Sequence, residues 1–157
     1  MMVEGVNVET GKTVQLNSDL LNDDVIFSLA KIELTETQLK RKIDNLSVSA
    51  DLKSLIFSIA KTTIKVGNRI VKLGAKLLEY VFQLFQQHPE TTFGMIFGAI
   101  IGVLVWSIPF LGVVLGPLVT PVAIAFGMIK GAQIDINNAE LKNKIEKVNS
   151  EFKAFEA

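Results

Sequence analysis

The side chains able to do bond-breaking chemistry are few. The chain has one histidine, His88, and no cysteine, which excludes the usual nucleophile–base dyads and the thiolate or imidazole clusters that hold transition metals. The run Gly67 to Lys76 (GNRIVKLGAK) lacks the spacing of a phosphate-cradling loop, no GxGxxG appears, and no carboxylate pair stands out on an apolar face. The chain is therefore not expected to be an enzyme, and no cofactor or metal is expected. What remains is physical chemistry of surfaces. Lys61, Lys65, Arg69, Lys72 and Lys76 step by three or four, so on a helix they share one side. Such a stripe is either a solvated face or a set of ligands for anionic lipid headgroups. It has no interleaved aromatics, and the chain carries 16 basic and 16 acidic residues, so nucleic acid is not an expected partner. His88 sits beside Pro89 in a joint, where a solvated linker residue and a sensor of mild acid are the two readings.

The elements around that stripe are dominated by one run, Phe93 to Ile129, which has no charged side chain in a chain of mean hydropathy +0.39. A bilayer-crossing helix needs about 20 mostly apolar residues, and the run holds nearly two such lengths. Pro109 marks the turn of a helical hairpin, because proline lacks a backbone donor and biases the preceding residue away from helix. The expected lipid-inserting side chains are Phe93, Ile96, Phe97, Ile100, Ile101 and Leu104 on the first arm, and Phe110, Leu111, Leu115, Leu118, Ile124 and Phe126 on the second, with Trp106 near the tip. Pro117 and Pro121 kink the second arm, so a wedge entering one leaflet is an alternative to two full crossings. Gly94, Gly98 and Gly102 form a smooth GxxxGxxxG face, and Gly112 with Gly116 and Gly127 with Gly131 repeat the spacing. Smooth faces let helices approach where lipid gives no hydrophobic drive, either between the two arms or between copies in a homo-oligomer.

The flanks read as amphipathic. Residues 1–17 alternate weakly around Thr10-Gly11, as a small β-hairpin or a flexible leader. Residues 18–48 hold two short helices, the second opened by the capping box Thr35-Glu36-Thr37-Gln38. Residues 49–88 read as one long helix with a heptad-type seam through Leu52, Ile56, Ile59, Val66, Ile70, Leu73, Leu77 and Leu84, open to a break at Gly67 or Gly74. Residues 89–130 are the hairpin. Residues 131–157 return to an amphipathic helix through Leu141, Ile145, Val148, Phe152 and Phe155.

The order of an amphipathic region, an uncharged hairpin, then Gln133-Ile134-Asp135 and the polar LKNKIEKV resembles the C-terminal part of pore-forming colicins. That resemblance implies a hairpin hidden among helices that opens on a membrane. The Pro117-Leu-Val-Thr-Pro121 turn is similar to the proline knot of oleosin-like hairpins, and the glycine run resembles glycine-zipper membrane proteins. The sequence reading is thus an all-α helical bundle, with long amphipathic helices flanking a membrane-inserting hydrophobic hairpin. Its expected location is a membrane, and its expected function is pore formation or permeabilisation. The alternatives are a non-conducting anchor or assembly subunit that binds partner proteins through its other helices, and a secreted effector shielded by a chaperone.

Overall fold

The computed structural model describes residues 1–7, 9–128 and 136–156. Gly131 and the Gln133-Ile134-Asp135 junction lie outside them. Two antiparallel strands open the chain, β1 (Met2–Val6) and β2 (Thr13–Asn17), followed by helices α1 (Asp23–Ala30), α2 (Glu36–Asp44) and α3 (Ala50–Ala60). A second, shorter hairpin, β3 (Ile64–Val66) and β4 (Arg69–Val71), leads into α4 (Leu73–Gln87). The apolar run then forms α5 (Phe93–Phe97), a π-helical turn (Gly98–Gly102), α6 (Val103–Ser107) and α7 (Pro109–Ala125). Helix α8 (Ala139–Ser150) and a 3₁₀ turn (Lys153–Glu156) close the described chain.

The expected all-α bundle is overturned by a four-stranded antiparallel sheet of order β2-β1-β3-β4. Its first hairpin is the one suggested around Thr10-Gly11, and β1 becomes an inner strand because it also pairs with β3, Val3 opposite Val66 and Glu4 opposite Lys65. The single helix expected over 50–87 is absent. Thr62-Thr63-Ile64-Lys65-Val66 is largely β-branched and suits a pleated strand. Gly67, at φ +59°, then supplies the left-handed residue that a tight hairpin turn requires.

Gly74 permits the next step. The first turn of α4 presses on the end of α3 so closely that a Cβ on Gly74 would lie 1.7 Å from the Ile59 carbonyl oxygen, and the Gly74 N–H donates to the Thr62 carbonyl at 3.1 Å. Only a residue without a side chain fits.

Most of the uncharged run is interior, although Val103, Val113 and Ile124 are exposed and Trp106, Leu118 and Phe126 half-buried. Ile96, Phe97, Ile100, Ile101, Leu111, Val114, Leu115, Val119, Val122 and Ala123 have no measurable exposure. Phe93 and Phe126 meet edge to face at 5.8 Å between ring centroids, and Phe110 stacks on Phe155 at 5.9 Å. The inner face of the sheet covers α7, where a Cβ on Gly5 would come within 2.4 Å of Val114 Cγ2. Each fully buried aliphatic or aromatic side chain contributes about 1.5–3 kcal/mol relative to exposure, so this packing holds the fold together.

The two arms do pair, Trp106 Nε1 donating to Thr120 Oγ1 at 3.4 Å, but neither suits a bilayer. The first is interrupted by the π turn, where the Val103 N–H reaches back to the Gly98 carbonyl and Asn149 Nδ2 of α8 takes up the Ala99 carbonyl at 3.3 Å. The second, at 17 residues, is the longest described helix. Among the described residues, no helix is long and apolar enough to cross a membrane. This overturns the membrane placement and the reading of residues 93–129 as a lipid-inserting hairpin.

The prolines keep α7 intact by their positions. Pro109 starts it, where a missing N–H costs nothing. Pro117 is half-buried and Pro121 exposed, on a strip with exposed Pro109 and Val113, so the carbonyls of Val113 and Pro117 that they leave unpaired lie on the helix side nearest water. Part of the glycine spacing serves packing within the molecule. A Cβ on Gly94 would meet the Phe126 ring at 2.9 Å and one on Gly112 the Val105 carbonyl oxygen at 2.8 Å. By contrast, Gly102 has only Trp106 Cζ3 near, at 3.8 Å, and Gly116 only Val105 Cγ1, at 3.9 Å.

Two glycine substitutions should therefore separate. Gly74→Ala forces backbone against backbone and is expected to lower stability by about 2–3 kcal/mol or more. Gly102→Ala is expected to be neutral or to stabilise by up to about 1 kcal/mol through helix propensity. Urea unfolding followed by circular dichroism measures both.

Candidate binding groove

The basic stripe expected on one helix is dispersed by the strands. Lys61 caps the end of α3, Lys65 lies in β3, Arg69 in β4, Lys72 precedes α4, and all four are exposed. Lys76 is only 8% exposed. Its Nζ donates to the Lys31 carbonyl at 2.7 Å and lies 4.8 Å from the centre of the Tyr80 ring. Lys76 therefore has no surface role, and headgroup binding by these five residues as one face is overturned.

Lys76 works with a residue the sequence reading passed over. Glu79, one turn along α4 and 7% exposed, accepts the Glu33 N–H on both carboxylate oxygens, at 3.1 and 3.2 Å. A buried cation and a buried anion on one helix face thus grip backbone groups two residues apart in the segment that leaves α1. Charged partners make such hydrogen bonds stronger than neutral ones. The segment is fixed at its far end by the Thr35 capping box, in which Thr35 Oγ1 accepts the Gln38 N–H and Gln38 Oε1 accepts the Thr35 N–H. The only sequence signal for the grip was the heptad position of Lys76 and Glu79 beside the seam.

Held there, residues 31–36 form one wall of a groove of about 470 Å³ whose other wall is the end of α3 and β4. Its floor is apolar, with Leu34, Leu39, Phe57 and Ala75. Glu33 and Glu36 line the first wall; Lys61, Lys72 and Ile70 line the second. Lys61 Nζ stands 4.5 Å from the centre of the Phe57 ring, an arrangement favoured by the ring quadrupole. Ile70 is 72% exposed, the most of any large apolar side chain among the described residues, with Phe27 next at 69%. The groove thus combines an apolar floor with charged walls of opposite sign. It has no nucleophile–base pair, and among the described residues no group of three metal-ligating side chains occurs.

His88 is neither solvated nor free. It is 6% exposed, with Nδ1 3.3 Å from Glu90 Oε1 and Nε2 3.2 Å from Lys144 Nζ of α8. An ammonium can only donate, so Nε2 accepts, which assigns the ring proton to Nδ1 and makes it the donor to Glu90. The Glu90 carboxyl lies below the usual carboxylate range, first through its own backbone N–H and then through His88 and Asn138. This cluster fastens α8 to the α4–α5 joint.

Tyr80 makes a second fastening, its hydroxyl donating to Glu151 Oε2. Burial, then the Glu151 hydrogen bond and the charges of Glu151 and Glu79, push the phenol well above its ordinary range. No protein-family model matches the chain, and neither the curated proteins nor the solved structures compared with it give a match.

Two measurements check these attachments. Tyr80 is the sole tyrosine, so its phenolate absorbance should fail to develop as pH rises through the free-phenol value of 10.0 and should appear only as the fold opens. A phenol pKa raised by folding adds stability that is complete below the unfolded value and lost as pH rises above it. Glu151→Gln should move the transition down. Separately, Glu79→Ala should cost about 1–3 kcal/mol, because the Glu33 N–H loses its partner, with faster hydrogen exchange at residues 31–35.

Proposed function

We propose that this chain is a non-catalytic partner-binding or assembly module that engages another protein through the groove between residues 31–36 and the α3–β4 wall. The observation that carries the reading is the coincidence of an apolar floor with a largely exposed Ile70 at its lip. Isolated apolar residues are common on protein surfaces, whereas one at the mouth of an apolar groove extends a surface that partner side chains can fill. The rigid grip of Lys76 and Glu79 supports the same reading, since a preset wall lowers the ordering cost of binding. The expectation of pore formation rested on an apolar run free to meet lipid; in the fold most of that run packs against the sheet, α3, α4 and α8, with Val103, Val113 and Ile124 left exposed.

A photoreactive side chain in place of Ile70, in the full chain in its native cell, is expected to give a discrete adduct with one partner. Ala60→Arg, which places a guanidinium at the mouth of the groove, should abolish it. The same side chain in place of exposed Lys142 on α8 should not produce that adduct. No adduct at position 70, or the same pattern from both positions, overturns the reading.

A further inference from the structure

We propose, resting on the partner-binding reading above, that the groove's occupant is an extended acidic segment of another protein, added as a further strand along the open edge of β4. β4 is an edge strand. Its register places Ile70 opposite Lys65 and Arg69 opposite Val66 across the Gly67-Asn68 turn. In an antiparallel ladder closed by a two-residue turn, the flanking pair exchanges hydrogen bonds and the next pair points its N–H and C=O groups away from the partner. Val66 and Arg69 are that flanking pair. The Gly67 N–H, which donates to the Met2 carbonyl at 3.0 Å, fixes the alternation on β3: Lys65 and Gly67 face β1 and Val66 faces β4. The N–H and C=O of Ile70 therefore point outward. No turn, loop or side-chain hydrogen bond among the described residues takes them up, and the residue is 72% exposed.

Native edges are usually blunted by charge, proline or cover. β4 is short, at three residues, and bears the cation Arg69, both of which discourage pairing with a like edge, but it has neither proline nor complete cover, and the charges flanking it are all of one sign. Lys61, Lys65, Arg69 and Lys72 surround Ile70, and among the described residues none has a carboxylate within 4.0 Å. Cations left without partners around an open strand edge complement an acidic strand, not a basic or neutral one. Strand addition supplies affinity through the main chain and specificity through alternate side chains. Here an apolar side chain of the incoming strand would reach the floor at Phe57 and Leu39. Acidic neighbours would face Lys61 and Lys72, on the side away from Glu33 and Glu36.

The test uses the isotopically labelled full chain with a synthetic peptide alternating valine and glutamate, and with its lysine-for-glutamate counterpart. The acidic peptide should shift the Ile70 amide resonance and slow its hydrogen exchange, the basic one should do neither, and Lys72→Glu should weaken the acidic peptide about tenfold. Ile70→Pro removes the outward donor but no bond of the existing ladder, so it should abolish binding while leaving the other strand resonances in place. An unshifted Ile70 amide, equal binding of the two peptides, or an edge already protected by a second copy of the chain overturns the proposal. A position-70 adduct with a partner, together with failure of the acidic peptide, would remove this inference alone; absence of both would remove the partner-binding reading as well.

Discussion

Helix α7 must be wrapped. It is apolar on nearly every side, so it has no polar face to offer water, and the rest of the molecule is arranged to supply partners for it. The sheet lies across Val114 and Phe110, α3 and α6 flank it, and Phe155 of the final 3₁₀ turn stacks on Phe110. The face of α7 that reaches solvent carries its prolines together with Val113 and Ile124, the latter 60% exposed. That economy explains two features at once, the survival of a helix with two internal prolines and the use of glycine where backbones must pass close to one another.

The same wrapping creates the groove. To cover the buried helices, α4 turns its seam inward and keeps Lys76 and Glu79 at the margin of the core, too deep for water. A charge in that position is costly unless satisfied. The chain satisfies both with backbone groups of one passing segment, the Lys31 carbonyl for the cation and the Glu33 N–H for the anion. The segment is thereby held off α3, and the space between becomes a cleft with an apolar base. A pair of buried ions, ordinarily weak evidence for stability, here fixes the position of a wall.

Much of the local structure was legible in the residues. The capping box at Thr35, the turn at Pro109 and the seam of α8 all sit where composition and spacing place them. Two things were not. Periodicity carried one helix from Ala50 through Gln87 because Val66 and Ile70 fit a heptad as well as a strand; the Gly67-Asn68 pair between two β-branched runs was the stronger signal, and it marks a hairpin. The uncharged run was misplaced for a deeper reason. Hydropathy alone does not distinguish a helix surrounded by lipid from one surrounded by protein, and the distinguishing facts were long-range: the pairing of β1 with β3, and the 1.7 Å clearance at Gly74 that folds α4 back against α3. Of the groove, the caps and the Lys positions could be read beforehand. Its existence could not, because it depends on where three separated segments meet.

The order of the elements along the chain has a consequence for biosynthesis. Everything that lies against α7 from the sheet side, β1, β2, α3 and β3, precedes it in sequence, so a ribosome releases the receiving surface before the most aggregation-prone segment emerges. The nascent apolar helix therefore meets a prepared bed, and the last partner to reach it is the 3₁₀ turn that stacks Phe155 on Phe110.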